Sequence, residues 1–429
     1  MTERIAVVGM WHLGCSIAAS WLKLGHFVTA IDFNDEVVKK LRSAESPVVE
    51  PGVNEEFRDG FAERRFAVYD SPSVSRCKFV FIAYDTPVET DDTSDVCPIW
   101  DAIGICGPHL DTNTIVVVSS QLPVGEARKL RSHLKTLCPS AELIYSPENL
   151  RLGQAMDCYL NPGHIVIGSE SIKAAIATKK LFDPMHAEIF HMNLPSAEMT
   201  KHCINSFLAT SITLANQWAD ISMAVGADYG TIERVLRRDP RIGKSAYITP
   251  GIGFSGGTLG RDLKVLASAS DKEIGGSAPI FDQVWSYNSH RPYEISDSIS
   301  ELIGGTKGNR IALLGMTYKP GTSTLRRSLP LEIAKDLHWN GATVAVHDPL
   351  ANWEEANLPS DMIVSDSPYA AAEGADIIVL LTEWPMYKDL DFDKLASVMN
   401  QPLMFDTKNF LAKAEASGFS RVVLGRGAL

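Results

Sequence analysis

The chain has 429 residues, 45% of them hydrophobic and 21% charged, with a formal net charge of −12. That length accommodates about three ordinary domains, each large enough for a core, and the composition is that of a globular protein. The acidic balance excludes nucleic acid and anionic membrane as principal partners, so a phosphate-bearing ligand requires locally placed Arg or Lys.

The N-terminus passes straight into a strand-like run, Ile5-Ala6-Val7-Val8, which leaves no room for a signal peptide. Apolar runs stay short of the roughly 20 residues of a membrane span. The seven cysteines, at 15, 77, 97, 106, 138, 158 and 203, have neither metal-ligand nor disulfide spacing. They read as reduced thiols of a cytoplasmic protein, and no metal is expected.

From residue 4 to about 195, β-rich runs (Ile5–Val8, Val28–Ile31, Phe79–Ala83, Ile115–Ser119, Ile165–Ile167) alternate with helix-like stretches, predicting a parallel α/β sheet. The first strand runs into Gly9-Met10-Trp11-His12-Leu13-Gly14 and then a helical stretch. A second strand ends at Asp32, eighteen residues past Gly14. A dinucleotide fold needs glycines for a tight turn and a diphosphate at the helix N-terminus. It also needs an acid about 20 residues on for the ribose hydroxyls. Asp32 favours NAD, because a carboxylate repels a 2′-phosphate. The middle glycine of the usual pattern is here Trp11.

Ser196–Val225 then predicts one long helix, with Met199, Cys203, Phe207, Ile212 and Leu214 spaced for a buried face. Lys201 and Asn205 are four residues apart and share a helix face. Helical patterns continue to about 300, and Gly304–Gly308 reads as a connector. A second α/β series starts at Ile311–Gly315, continues through Val344–Asp348 and Ile377–Leu381, and ends near Phe405. The predicted architecture is therefore α/β: a domain over 1–195, a helical domain over 196–304, and a second α/β domain over 305–429.

Ordered motifs extend from Ile5 to about Asn409: Glu50-Pro51-Gly52, Thr86-Pro87, Ser146-Pro147-Glu148, Lys201 with Asn205, Asp239–Gly243, Gly253–Asp262, Tyr318-Lys319-Pro320 through Arg326 and Ser328, and Asp406–Asn409. Together they resemble the UDP-glucose/GDP-mannose 6-dehydrogenase family. The resemblance implies two Rossmann-like domains joined by a helical one whose long helix forms a homodimer. It also implies NAD as cofactor and a nucleotide-diphosphate sugar as substrate. By the same resemblance Thr86, Pro87 and Arg326 join Gly9, Trp11, His12, Leu13, Gly14 and Asp32 at the cofactor. Asn149, Leu150, Tyr247, Gly253, Phe254, Gly256, Lys319 and Lys408 line the substrate, and Arg241 reaches the neighbouring subunit's sugar. Lys201, Asn205 and Asp262 serve hydride transfer, with Glu148 beside them.

Three positions depart from the family pattern. Thr258 stands where the family has the cysteine that traps a sugar aldehyde as a thiohemiacetal. Leu152 replaces a carboxylate, and Gln121 replaces a threonine that positions water. A hydroxyl titrates far above a thiol, at about 8.5 for Cys, and is a poor nucleophile without an adjacent base. The residues of the first hydride transfer remain, while those of aldehyde capture and hydrolysis are changed. The leading expectation is one two-electron oxidation of a CH–OH group to an aldehyde or ketone. Full oxidation to a uronic acid, NAD-using epimerisation, and silent nucleotide-sugar binding remain open alternatives.

Overall fold

The computed structural model describes residues 2–86, 95–148, 150–276, 278–411 and 418–426. The chain divides into two compact units, Met1–Ile204 and Asn205–Leu429. Among the described residues the first unit holds an eight-stranded sheet: β1 (Arg4–Val8), β2 (Phe27–Ile31), β3 (Phe66–Tyr69), β4 (Phe79–Ile82), β5 (Ile115–Val118), β6 (Glu142–Tyr145), β7 (Ile165–Ser169) and β8 (Ile189–Met192). Their order is β3-β2-β1-β4-β5-β6-β7-β8. Every pairing is parallel except β6 with β7.

The sheet is buried on both faces. Ile5 and Val7 of β1 point into one core cluster, while Ala6 and Val8 point into another. Parallel strands covered on both sides read as continuous apolar runs, which is why β1, β4 and β5 were legible. The edge strands β3 and β8, with more exposed positions, were not.

The second unit holds β9 (Arg310–Leu314), β10 (Thr343–His347), β11 (Ile363–Val364), β12 (Ile377–Leu380), β13 (Leu403–Asp406) and β14 (Ser420–Val423). They form a parallel sheet in the order β11-β10-β9-β12-β13-β14. The expected end of the α/β series near Phe405 is corrected here, because β14 pairs with β13 beyond it. Arg421 on β14 is bound to the buried Asp406 carboxylate at 2.6 Å, a charged strand residue that the apolar pattern conceals.

The long helix runs over Leu194–Ala224. Its expected buried face is also corrected: Cys203, Phe207 and Leu214 are exposed, whereas Ala197, Lys201, Asn205, Ala209 and Asn216 are buried. Small residues let a helix lie close to its neighbours, and the buried polar ones have partners within the fold. The larger apolar side chains are thereby turned outward. No helix among the described residues is long and apolar enough to cross a membrane, and no group of three His, Cys, Asp or Glu there could hold a metal ion.

Candidate active site

In the first unit the glycine turn leads directly into the helix His12–Lys23. Gly9 has φ +90°, and its N–H donates to Ile31 at 3.0 Å, which ties the end of β1 to β2. A Cβ at Gly14 would lie 1.8 Å from the Gly9 carbonyl oxygen, so only glycine lets the helix start this close to the turn. Asp32 accepts Met10 N–H on Oδ2 at 2.6 Å and Asn34 N–H on Oδ1 at 2.9 Å. Each carboxylate oxygen retains acceptor capacity for a hydroxyl. These features fit a dinucleotide: a close turn, an open helix start and an oriented ribose acceptor. Trp11 is half exposed and projects outward instead of filling the turn.

A similar turn follows β9. Gly315 has φ +86°, and Met316 N–H donates to Asp348 Oδ2 at 2.8 Å. There the same oxygen also accepts Thr317 N–H, Thr317 Oγ1 and Trp384 Nε1 at 2.9 to 3.0 Å. The carboxylate is filled by the protein itself, and the next helix begins only at Leu329. The dinucleotide geometry therefore belongs to the first turn.

His12 and Leu13 are the first two residues of the first helix. His12 Nε2 lies 2.9 Å from Glu50 Oε2, which also accepts Gly153 N–H at 2.8 Å, while Glu50 Oε1 accepts Ala155 N–H at 2.7 Å. Glu50 thus joins the glycine turn to the segment after Glu148, across about a hundred residues of sequence. Leu150 packs against the core on that segment, and Leu152 is half-buried. Asn149 and Pro87 lie outside the described residues; Thr86 is half-buried.

Lys201 is buried, and its Nζ donates to the backbone oxygen of Glu148 at 2.8 Å, so those two candidates are brought together. Burial pushes the Glu148 carboxyl from 4.5 up to about 8, with Lys201 pulling the other way, although part of the residue stays exposed. One turn before Lys201, the buried Glu198 accepts Gly125 and Ala127 N–H at 2.7 Å each. His202 Nε2 bonds Leu122 O at 3.0 Å. These contacts brace the turn that carries the half-buried Gln121.

In the second unit Asn205 Nδ2 donates to Asp262 Oδ2, and Asp262 is wholly buried beside Arg261 at 3.5 Å. The preceding glycine-rich loop is held by amides. Asn216 Oδ1 accepts Gly251 N–H at 2.7 Å, and Asn288 brackets Phe254 through its N–H at 2.8 Å and its carbonyl at 2.9 Å. Gly253 has φ +106°, and a Cβ there would meet Asn288 at 2.6 Å. Gly256 N–H reaches Arg327 O at 3.0 Å, so the loop is stitched to the segment after Arg326. Phe254 itself is packed with Ala209, Leu263 and Val284.

Thr258 follows as the first residue of the helix Thr258–Ile274 and is exposed. Lys408 lies over the same loop, since a Cβ at Gly251 would meet its Nζ at 2.8 Å. Lys319 Nζ sits 5.6 Å from the Tyr318 ring centroid, and Arg326 and Tyr247 are exposed. Arg241 is exposed and forks onto Asp239 at 2.7 and 3.0 Å. The sequence reading did not single out Asn216, Asn288 or Asp85, whose roles come from contacts with remote backbone. Glu50 was marked only by its Pro-Gly neighbours.

Residues 3–186 match the NAD binding domain of the UDP-glucose/GDP-mannose dehydrogenase family, residues 195–290 its central domain and residues 312–413 its UDP binding domain. The chain is 30% identical over 435 residues to the UDP-glucose 6-dehydrogenase TuaD of Bacillus subtilis, spanning 100% of this chain and 94% of the relative. Among solved structures it resembles a UDP-glucose dehydrogenase from Pyrobaculum islandicum with TM-score 0.89 and 26% identity, covering 100% of this chain and 98% of the other. A UDP-D-ManNAc dehydrogenase from Pyrococcus horikoshii gives TM-score 0.86 and 25% identity, covering 99% and 100%. With the family matched over nearly the whole chain, and with a glycine turn that admits a dinucleotide, the protein belongs to the UDP-glucose/GDP-mannose dehydrogenase family and is an NAD-dependent nucleotide-sugar dehydrogenase acting on a CH–OH group.

Proposed function

We propose that the enzyme removes one hydride from a nucleoside-diphosphate sugar and releases a carbonyl product. The observation that carries this reading is Thr258, at the head of its helix, in a second unit without any cysteine. A helix N-terminus lowers a thiol's pKa and so activates it, but leaves a threonine hydroxyl far from ionised at neutral pH. No aldehyde adduct forms there, and no second hydride leaves.

NAD, held by the Gly9–Gly14 turn and Asp32, supplies the hydride acceptor. As the substrate hydroxyl loses its proton, the Lys201 ammonium stabilises the alkoxide-like oxygen. Asn205 has a second amide hydrogen to offer that oxygen besides the one given to Asp262. Asp262 takes the proton through a water. Glu148, with its carboxyl raised to about 8, is largely neutral at physiological pH and both donates to and accepts from the sugar. The balance is one CH–OH converted to C=O, one hydride and one proton.

The match to a UDP binding domain and the names of the relatives support a UDP-sugar as substrate. Its diphosphate meets Lys319 and Lys408, and its sugar meets the Gly253–Gly256 loop, Leu150, Asn149 and Tyr247. Thr86, Pro87 and Arg326 complete the cofactor site. The domains fall at about 1–195, 196–304 and 305–429. The outward apolar face of the long helix supports a homodimer, in which Arg241 leaves Asp239 for the neighbour's sugar. Seven unpaired thiols accord with a reducing cytoplasm.

The test is a stoichiometry. Purified enzyme is incubated with NAD and a panel of UDP-sugars, carbonyls are trapped with a hydroxylamine, and the products are weighed. One NADH per sugar with a trapped carbonyl is expected. An acid formed with two NADH would overturn the reading, and product without NADH would point to epimerisation.

A further inference from the structure

The glycine turn meets the loop that follows β4. A Cβ at Gly9 would lie 2.7 Å from Tyr84 Cδ2, so the Tyr84 ring covers the turn. The next residue, Asp85, directs its carboxylate onto the helix that the turn opens: Leu13 N–H donates to Asp85 Oδ2 at 3.2 Å. Leu13 is the second residue of that helix, so its amide belongs to the first turn, whose N–H groups have no intrahelical acceptor. The helix has no side-chain cap and no acid in its own first turn. Asp85 supplies from outside the negative charge that such a helix start attracts.

Its position in the sheet gives this contact a consequence. β1 lies between β2 and β4, so the loops after β1 and β4 flank the point where the strand order reverses. Ligands of open α/β sheets bind at that point, and a dinucleotide places its diphosphate on the same helix-start amides. One amide hydrogen serves a carboxylate or a phosphate well, but not both, and two anions at contact distance repel.

We infer that Asp85 is a built-in competitor of the cofactor's diphosphate. In the free enzyme it holds the Leu13 amide, and when NAD binds it is displaced into solvent, to which it is already exposed. Cofactor affinity is therefore set in part by the removal of a carboxylate, and Asp85 makes it weaker than the turn alone would give. This does not depend on whether the sugar is oxidised once or twice.

Asp85→Asn keeps the shape and a neutral acceptor but removes the charge. Wild type and variant are titrated by calorimetry with NAD, ADP-ribose and adenosine, in the absence of any sugar. NAD and ADP-ribose should bind the variant about fivefold tighter, the scale of a charge–dipole contact at a helix end. Adenosine has no phosphate and should bind both proteins equally. The ligand-free variant should melt slightly lower than wild type, having lost the anion at the helix start, yet gain more in Tm from NAD. Asp85→Ser should give the same ranking and guards against an effect peculiar to asparagine. NAD binding that is unchanged or weaker in both variants, or adenosine gaining as much as ADP-ribose, would overturn the inference.

Discussion

Thr258 heads a helix, where the unsatisfied amides and the dipole would favour a thiolate and leave a threonine hydroxyl protonated. Thr258→Cys restores a nucleophile without the carboxylate and threonine replaced by Leu152 and Gln121. It should accumulate a thioester, visible as added mass after a burst of NADH, and turn over slowly. Lys201 is buried against Glu148, so Lys201→Met removes a charge that acts mainly in the transition state. Steady-state kcat should fall on the order of 10²–10³-fold, or about 3–4 kcal/mol, with KM changed little. Glu148 has a sign of its own. Its folded-state pKa is raised from 4.5 to about 8, so between those values the native state binds more protons than the unfolded chain. The stability of its neutral form is present below pH 4.5 and is lost as pH rises through about 8. Melting curves of Glu148→Gln against wild type should converge or cross in favour of the variant as pH rises through that window. A constant difference would show that Glu148 is not perturbed.

The long helix Leu194–Ala224 shows how one element can face two ways. Positions 207, 214, 218 and 221 recur at helical spacing and fall on one face. They carry Phe207, Leu214, Trp218 and Ile221, all exposed in the single chain, with Val225 just past its end. An apolar stripe of that length is unusual on a monomer surface. The opposite face holds Lys201 and Asn205. The helix is anchored further along by Asp220, which takes a bidentate contact from the buried Arg291 at 2.6 and 2.9 Å. Trp218→Glu should therefore halve the particle mass measured by light scattering while leaving the circular dichroism of the chain intact. A variant with the wild-type mass would remove this face from the subunit interface.

At the scale of the whole molecule, the two turns after β1 and β9 divide the labour between nucleotides. Both have a glycine with positive φ and an aspartate receiving the next N–H. Only the first is followed at once by a helix, and Asp348 in the second is saturated by Thr317 and Trp384. All seven thiols lie in Met1–Ile204, so the glycine-rich loop of the second unit has no thiol in its own chain segment. The expected yield of one NADH per sugar follows from that distribution as much as from residue 258 alone.

The continuous apolar runs of β1, β4, β5, β9 and β12 determined the two sheets, because strands buried on both faces need no alternation. Gly9, Gly14 and Asp32 likewise determined the cofactor class, since close turns and ribose acceptors demand particular residues at particular spacings. Tertiary structure alone decided the inward face of the long helix, where small and polar residues displaced the apolar ones that periodicity favoured. It alone decided β14, whose Arg421 is neutralised by Asp406. It also decided the contacts of Glu50 with Gly153 and of Asp85 with Leu13. In each case a charged or amide group is matched to a backbone group far along the chain, and no local pattern records such a pairing.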